Sequence, residues 1–567
     1  MKKRNIICAA VIAMAAMLTG CSDFLEEHNR NDLSTDNGFY DTEAGFESLI
    51  NSCYTPMRLW GGKVPGIAFG ESGTDILAPG GKCDYPTLAL YQTDLNETVG
   101  VIAENFDRLY RAINICNTAV AHARTVDADA DLKNQREGEA RFLRSYYYWI
   151  IAESFGDTYW TDQPAQSIVT EPKKTPVADI YTHIFEDLDF CTAADSKLSK
   201  NQADGGRATY WAAKALKARL LLTRASETGD QQLYEQAYTE AKDVIDNGPF
   251  ELNKDFNAVF DMRQLGGEGS GNNEVIWYVD YSSENQLYNE EFDDIIIRSG
   301  GNHMHLSYCM EYDTQPGLDR SIEYGRPFVH YMPTRYLLDL YSDYDQRLAA
   351  TFQTVWYANK DGGNDYPLMH SGDTAIWAMR EQATPEQKEW AKGRYQIVDR
   401  DVMFHADGTL NNQKQYMMIK KFADPTRETV KEDRSTRDAF MIRLAEMYLI
   451  VAEAGAKCGK ADALNYMNTL RTTRAVSGHE EDMKVTQADI ENIDFILDER
   501  GRELAGEQLR WFDLKRMGEE IFLRRIKLGN PDAGKNVKAY HMLRPFPQTF
   551  LDAITNKEEF KQNEGYE

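Results

Sequence analysis

Three aspartates, Asp127, Asp129 and Asp131, carry the first three ligand spacings of a calcium-binding loop. The sixth position is Leu132, where the sharp turn needs Gly, and the twelfth is Gly138, where a bidentate Glu is needed. A solvated helix start is the better account of the triplet. His303 and His305 could place two imidazoles on one strand face, but no third ligand is in sight. The sequence holds no His-x-x-x-His pair with a Glu, no G-x-S-x-G elbow and no C-x-x-C. Gly266-Gly267-Glu268-Gly269-Ser270-Gly271 lacks the spacing of a phosphate loop and reads as a flexible loop. With 90 acidic residues, a carboxylate pair at glycosidase-like separation is uninformative. The expected catalytic set is empty, and no metal or cofactor is expected.

Composition narrows the classes further. At 567 residues the prior is three or four domains, or one large repetitive one. Hydrophobic residues make up 42 % and aromatics 11 %, enough for a large core, so global disorder is excluded. Lys and Arg total 63 against 90 Asp and Glu, a net charge of −27. Such a surface repels phosphate backbones, and no local basic patch offsets it, so nucleic acid is not an expected partner. Beyond the N-terminus no apolar run is long enough to span a bilayer.

The N-terminus reads as an address and an anchor. Lys2, Lys3 and Arg4 precede the apolar stretch Ile6–Leu18, which is too short for a membrane span and right for a signal peptide. Leu18-Thr19-Gly20-Cys21 resembles the bacterial lipobox, so residues 1–20 are expected to be a lipoprotein signal peptide and Cys21 the lipidated (palmitate-bearing) residue. Several acyl chains anchor stably, since each buried CH₂ contributes about 0.8 kcal/mol. The mature start, Ser22-Asp23-Phe24-Leu25-Glu26-Glu27, resembles an export tag of surface lipoproteins. Cys53, Cys83, Cys116, Cys191, Cys309 and Cys458 are widely spaced, and buried free thiols are the expected state.

Apolar residues recur at three- and four-residue steps around 104–124 and 135–155. The stretch 207–226 is a strong helix former, 231–247 reads as its partner, and Gly248-Pro249 stops it. Further helices are expected at 437–457, 460–475 and 488–518. Paired helices of this length suggest a tetratricopeptide-like solenoid, although the match to that repeat's consensus is poor. Between them lie Gly- and Pro-rich residues 60–100 and Gly-, Asp- and Tyr-rich residues 249–435, with β-like pieces such as Val275–Val279. Long irregular segments inside a compact protein carry function.

The C-terminal region is more specific. Asp438 to Leu449 with Ala452-Glu453-Ala454, then Leu464 to Ala475, Ile496 to Glu507 and Arg510 to Arg516, resemble successive motifs of the SusD/RagB family. Pro547-Gln548 and Gln562 to Tyr566 fit as well, with Glu564 where Pro is more usual. Leu109 to Asn114 with Asn117, Glu139 to Arg144 with Tyr147, Phe155-Gly156-Asp157, Ala208 to Arg224, Asn273 to Trp277 and Pro333 to Leu340 extend the resemblance over nearly the whole mature chain. Glu499, Arg500, Arg502, Glu503, Glu507, Arg510 and Asp513 have helical spacing and opposite charges, and are expected to form ion pairs that join helices. Trp511 and Phe512 are expected in the core.

The resemblance implies a mainly α fold: a tetratricopeptide-like frame of helical pairs with loop-rich insertions and a few short strands. It divides the chain into an N-terminal region, 21–248, and a C-terminal region, 249–567, with the insertion at 249–435 and closing helices at 436–520, packed as one unit. It implies a non-enzymatic lipoprotein of the outer membrane, facing the cell exterior and held by its lipid anchor alone. Such a protein binds nutrient glycan and forms the lid of a SusC-like TonB-dependent transporter.

Sugar recognition needs aromatic faces for pyranose C–H groups and planar polar groups for hydroxyls. Two clusters fit that demand: Trp60, Asp75, Tyr85 and Tyr91, and then Tyr308, Tyr312, Tyr324, Arg326 and Tyr331. Arg326 could grip a carboxylate on an acidic sugar or pair with Glu323 or Asp319. The alternatives are a peptide ligand, a surface glycoside hydrolase, or a lid that touches no substrate.

Overall fold

The computed structural model describes residues 38–201, 204–264, 271–281 and 301–566. The expected signal peptide, Cys21, the acidic residues after it and most of the Gly-rich run lie outside the described residues. The main helices are α1 Glu43–Tyr54, α2 Val64–Glu71, α3 Gly100–His122, α4 Ala130–Phe155, α5 Val177–Thr192, α6 Tyr210–Thr228, α7 Gln231–Asn247, α8 Leu444–Lys457, α9 Ala463–Thr473, α10 Ile493–Leu504, α11 Arg510–Lys515 and α12 Glu519–Gly529. The main strands are β1 Leu77–Pro79, β2 Val275–Val279, β3 Tyr331–Pro333, β4 Val355–Tyr357, β5 Thr374–Ala378, β6 Gln396–Val398 and β7 Ala439–Arg443; the two-residue strands Thr158–Tyr159 and Lys174–Thr175 pair with each other. The chain is predominantly helical, with few and short strands.

Local chemistry sets the helix ends. Asp129 caps α4 by accepting the N–H of Asp131 (2.8 Å) and of Leu132 (3.3 Å), which is the role its acidic triplet plays. Thr209 caps α6, and Gly229, at φ +73°, ends it. Successive helices pair: α3 with α4, α4 with α5, α6 with α7, α8 with α9. The frame closes when α8 packs onto α7 from 200 residues further along the chain.

Two sequence expectations need correction. Residues 437–457 do not start as helix: β7 comes first and pairs antiparallel with β2. Its residues Ala439, Met441 and Ile442 are buried in the β2 ladder, so sheet pairing overrides local helical spacing. Residues 488–518 form a short turn at 487–491, then α10 and α11, and not one helix. Gly506 (φ +81°) and Gln508 (φ +65°) break it between α10 and α11.

One core runs from Phe46 to Tyr566 and holds the helical frame; Trp511 and Phe512 lie in it. A second gathers Ile67, Ile76, Leu77 and Ala78 with residues from Phe256 to Phe422. Buried charges join the elements around them. Arg443 bonds Glu274 (2.7 Å) and Glu503 (3.0 Å), while Arg474 bonds both of the same carboxylates. Arg347 meets Glu499 at 2.9 Å and Glu503 at 3.0 Å. Arg500 pairs with Asp513 at 2.7 Å. The charged residues of the C-terminal motifs are thus fasteners of the frame. Cys53, Cys116, Cys191 and Cys309 are buried free thiols; Cys83 and Cys458 are free and half-buried.

Candidate functional site

The two aromatic clusters lie some 240 residues apart in sequence, and the fold joins them. β1 pairs antiparallel with β3, setting Leu77 opposite Pro333 and Pro79 opposite Tyr331. The pairing runs on past β1: Gly80 N–H donates to the His330 carbonyl (2.8 Å) and Lys82 N–H to that of Val329 (3.0 Å). Gly80 is required here, because a Cβ would lie 2.2 Å from the Val329 oxygen.

Most of the sequence-predicted residues are the ladder's support and not its surface. Trp60 is buried edge-to-face on Phe69 at 5.7 Å. Asp75 is fully buried between Arg510 and Arg525. Tyr91 is buried, in the left-handed region at φ +50°, stacks on His541 at 4.8 Å, and donates to the Gly73 carbonyl. Tyr308 donates to the Gly506 carbonyl (3.1 Å), Tyr312 to the Gly325 carbonyl (2.6 Å), and Tyr331 accepts from Ser72 (3.1 Å); all three are buried. Tyr85 and Tyr324 are half-buried, and Tyr324 accepts the Tyr357 N–H at 2.8 Å. Apolar packing consumes an aromatic face before a ligand can reach it.

Arg326 stays near the surface and heads a continuous stack. Its guanidinium lies 5.1 Å over the Phe328 ring, Phe328 meets His330 at 5.4 Å, and His330 Nε2 reaches Asp84 at 3.5 Å. Arg326 pairs with Asp433 (3.3 Å) and donates to the Lys431 carbonyl (2.7 Å). Neither expected partner holds it: Glu323 binds Arg263 and Asp319 binds Lys360. Burial lowers the His330 imidazole and the nearby Asp84 opposes that shift, leaving a neutral ring. Its Nδ1 has no hydrogen-bond partner among the described residues. At the centre sits Val329, at φ +58°. A β-branched residue there costs on the order of 1–3 kcal/mol and persists only where its surroundings impose it.

Phe328, His330 and Asp84 escaped the sequence reading. The sequence marks them only by the two-residue spacing Arg326, Phe328, His330; no strand forms there, and Val329 at φ +58° interrupts the extended backbone. His303 and His305 form no metal pair: among the described residues no three His, Cys, Asp or Glu side chains converge on a metal position. The stack offers the Arg326 guanidinium, the half-buried Phe328 ring and the Asp84 carboxylate, with the buried His330 imidazole between ring and carboxylate. That set binds hydroxyl-rich or charged planar groups.

Comparison with known proteins gives consistent relatives. Residues 273–566 match a family model described as "SusD family", and residues 23–222 match one described as "Starch-binding associating with outer membrane". "SusD-like protein P2" of Formosa agariphila is 26 % identical over 553 residues, covering 92 % of each chain. "Starch-binding protein SusD" of Bacteroides thetaiotaomicron is 25 % identical over 471 residues, covering 77 % of this chain and 74 % of its own. Surface glycan-binding protein A from B. thetaiotaomicron, solved in complex with laminarihexaose, superposes with a TM-score of 0.67 at 17 % identity, covering 92 % of this chain and 99 % of that one. At such identity the likeness carries the fold.

Proposed function

The chain belongs to the SusD family, and from that membership we propose that it is a lipid-anchored protein of the outer-membrane surface that binds glycan without turning it over. Cys21 carries the anchor. The bound oligo- or polysaccharide passes to a SusC-like TonB-dependent transporter, over which the protein acts as a lid. The observation that carries this reading is the Arg326–Phe328–His330–Asp84 stack on the β1–β3 ladder. It sets planar donors and acceptors beside an aromatic ring, as sugar hydroxyls and C–H faces require. The strained Val329 at its centre supports the same reading. A relative named for starch binding and a structural neighbour solved with laminarihexaose agree in kind.

The experiment is electrophoresis of the purified protein through native gels cast with different polysaccharides, beside a peptide control. Retardation by one class of glycan is expected. Free migration in every polysaccharide, with peptide bound instead, would move the ligand class to peptides. Release of reducing ends would make the protein a hydrolase.

A further inference from the structure

Among the described residues eight large apolar side chains are exposed, and three of them, Tyr357, Leu368 and Trp390, come from one short stretch of the central insertion. Trp390 is 63 % exposed. The stretch is built on a three-stranded sheet, with β5 antiparallel to β4 and parallel to β6. Trp356 and Ile376 bury its inner row. A helix, Pro385–Ala391, lies beside it, closed by a capping box at Thr384 and Gln387.

Between that helix and β6 opens a pocket of about 570 Å³, within the range of small-ligand sites. Tyr366, Tyr395 and Ile397 give it apolar walls, and Trp377 backs Tyr395 at 6.4 Å. Trp390 stands at the end of the same helix, with the Arg394 guanidinium 4.3 Å over its ring. Gln396 adds an acceptor: its amide nitrogen donates to Gln415 (3.1 Å), but its enclosed Oε1 has no partner. A buried acceptor of this kind is costly unless a donor meets it.

The cations of the pocket are already paired, while Asp365 stands exposed at its wall with no ion pair among the described residues. Asp399 is fully buried, accepts from the Ala383 and Val402 N–H groups, and pairs with Lys388 at 2.8 Å. Lys392 pairs with Glu389. No lining cation remains to draw an anionic ligand. The pocket shares no residue with the ladder stack.

We infer that this pocket is a second saccharide-binding site, taking uncharged pyranose rings whose C–H faces lie on the aromatic walls and whose hydroxyls bond to the lining Gln396 and Asp365 side chains. The inference rests on the glycan reading above and adds a separate place of attachment to it. Two sites on one chain would raise the avidity for a long glycan that reaches both, without strengthening either contact.

The test is an immobilised array of neutral, uronate-bearing and sulfated glycans probed with the purified protein. Wild type is compared with Trp390→Ala, Gln396→Leu and Phe328→Ala, each checked by thermal melting. Trp390 is exposed, so its removal leaves the fold intact. Expected is a loss of about fivefold or more on long neutral glycans for W390A and Q396L, with residual binding in F328A on the same spots. Wild-type signals in both pocket variants, with loss only in F328A, overturn the second site and leave the ladder site standing. Loss in the pocket variants with F328A unchanged keeps the pocket and removes the ladder site. Binding confined to acidic glycans overturns the neutral class, and an array silent to wild type overturns both sites.

Discussion

Asp75 and Arg510 stand 435 residues apart and are joined by two parallel hydrogen bonds of 2.7 Å. Asp75 carries the β1 end of the first aromatic cluster, and Arg510 begins α11 of the frame. Arg525 adds a bond of 2.9 Å to the same carboxylate. Burial pushes the Asp75 carboxyl up, and the two guanidiniums outweigh it and hold it below its ordinary range. The ladder is therefore bolted to the helical frame through one fully buried ion cluster.

Asp75→Asn is expected to cost about 3–5 kcal/mol, because it leaves two buried cations short of their charge. Urea unfolding gives that number. The folded fraction of D75N should still bind glycan; binding lost with stability unchanged would return Asp75 to the ligand.

Acid should weaken the frame. Burial raises Glu503 and Glu499, but Arg474, Arg443 and Arg347 around the one, and Arg347, Arg471 and Arg502 around the other, bring both below the usual carboxylate range. Depressed carboxylates contribute stability above their unfolded pKa, near 4, and lose it as pH falls through the folded value. Urea midpoints should drop steeply below about pH 4, and Glu503→Gln should be less stable at pH 7 with a shallower acid slope. An unchanged slope in E503Q would remove Glu503 from the account.

Glu71 has the opposite sign. Burial raises its carboxyl to about 8, against the Gln508 and Leu509 N–H groups that Oε1 accepts. Its contribution is complete below the unfolded pKa, near 4, and is lost as pH rises through about 8. The full shift corresponds to at most on the order of 5 kcal/mol. Glu71→Gln should flatten the decline in stability between pH 5 and about 9, read by chemical unfolding across that range.

The helical frame was legible in the sequence, and its candidate site much less so. α7 spans the residues its periodicity marks, and the alternating charges from Glu499 to Asp513 do join helices. Those features are local, with partners on neighbouring turns or repeated motifs. The ladder stack depends on β1 finding β3 across the chain, and that pairing leaves no local mark beyond the two-residue spacing of Arg326, Phe328 and His330. Tyrosines such as Tyr308 and Tyr312 have the right chemistry for sugar, and burial decides against their rings. Exposure is a property of the assembled core, so residue type alone could not separate Tyr312 from Phe328.

Thiol reactivity reports the same packing. Cys53, Cys116, Cys191 and Cys309 are buried and free, and burial raises the Cys83 thiol to about 12. Ellman's reagent should find almost no reactive thiol in the native protein and six per mature chain in guanidinium. A shortfall in guanidinium that reductant restores would reveal a disulfide instead.

The most direct test of the central claim is the affinity of Arg326→Ala and Phe328→Ala for whichever polysaccharide retards wild type in native gels. If the ladder stack holds glycan, each variant should bind about tenfold or more weakly, a loss of about 1.4 kcal/mol, with its melting temperature nearly unchanged. Wild-type retardation in both variants, at unchanged stability, would contradict the placement of the glycan on this face.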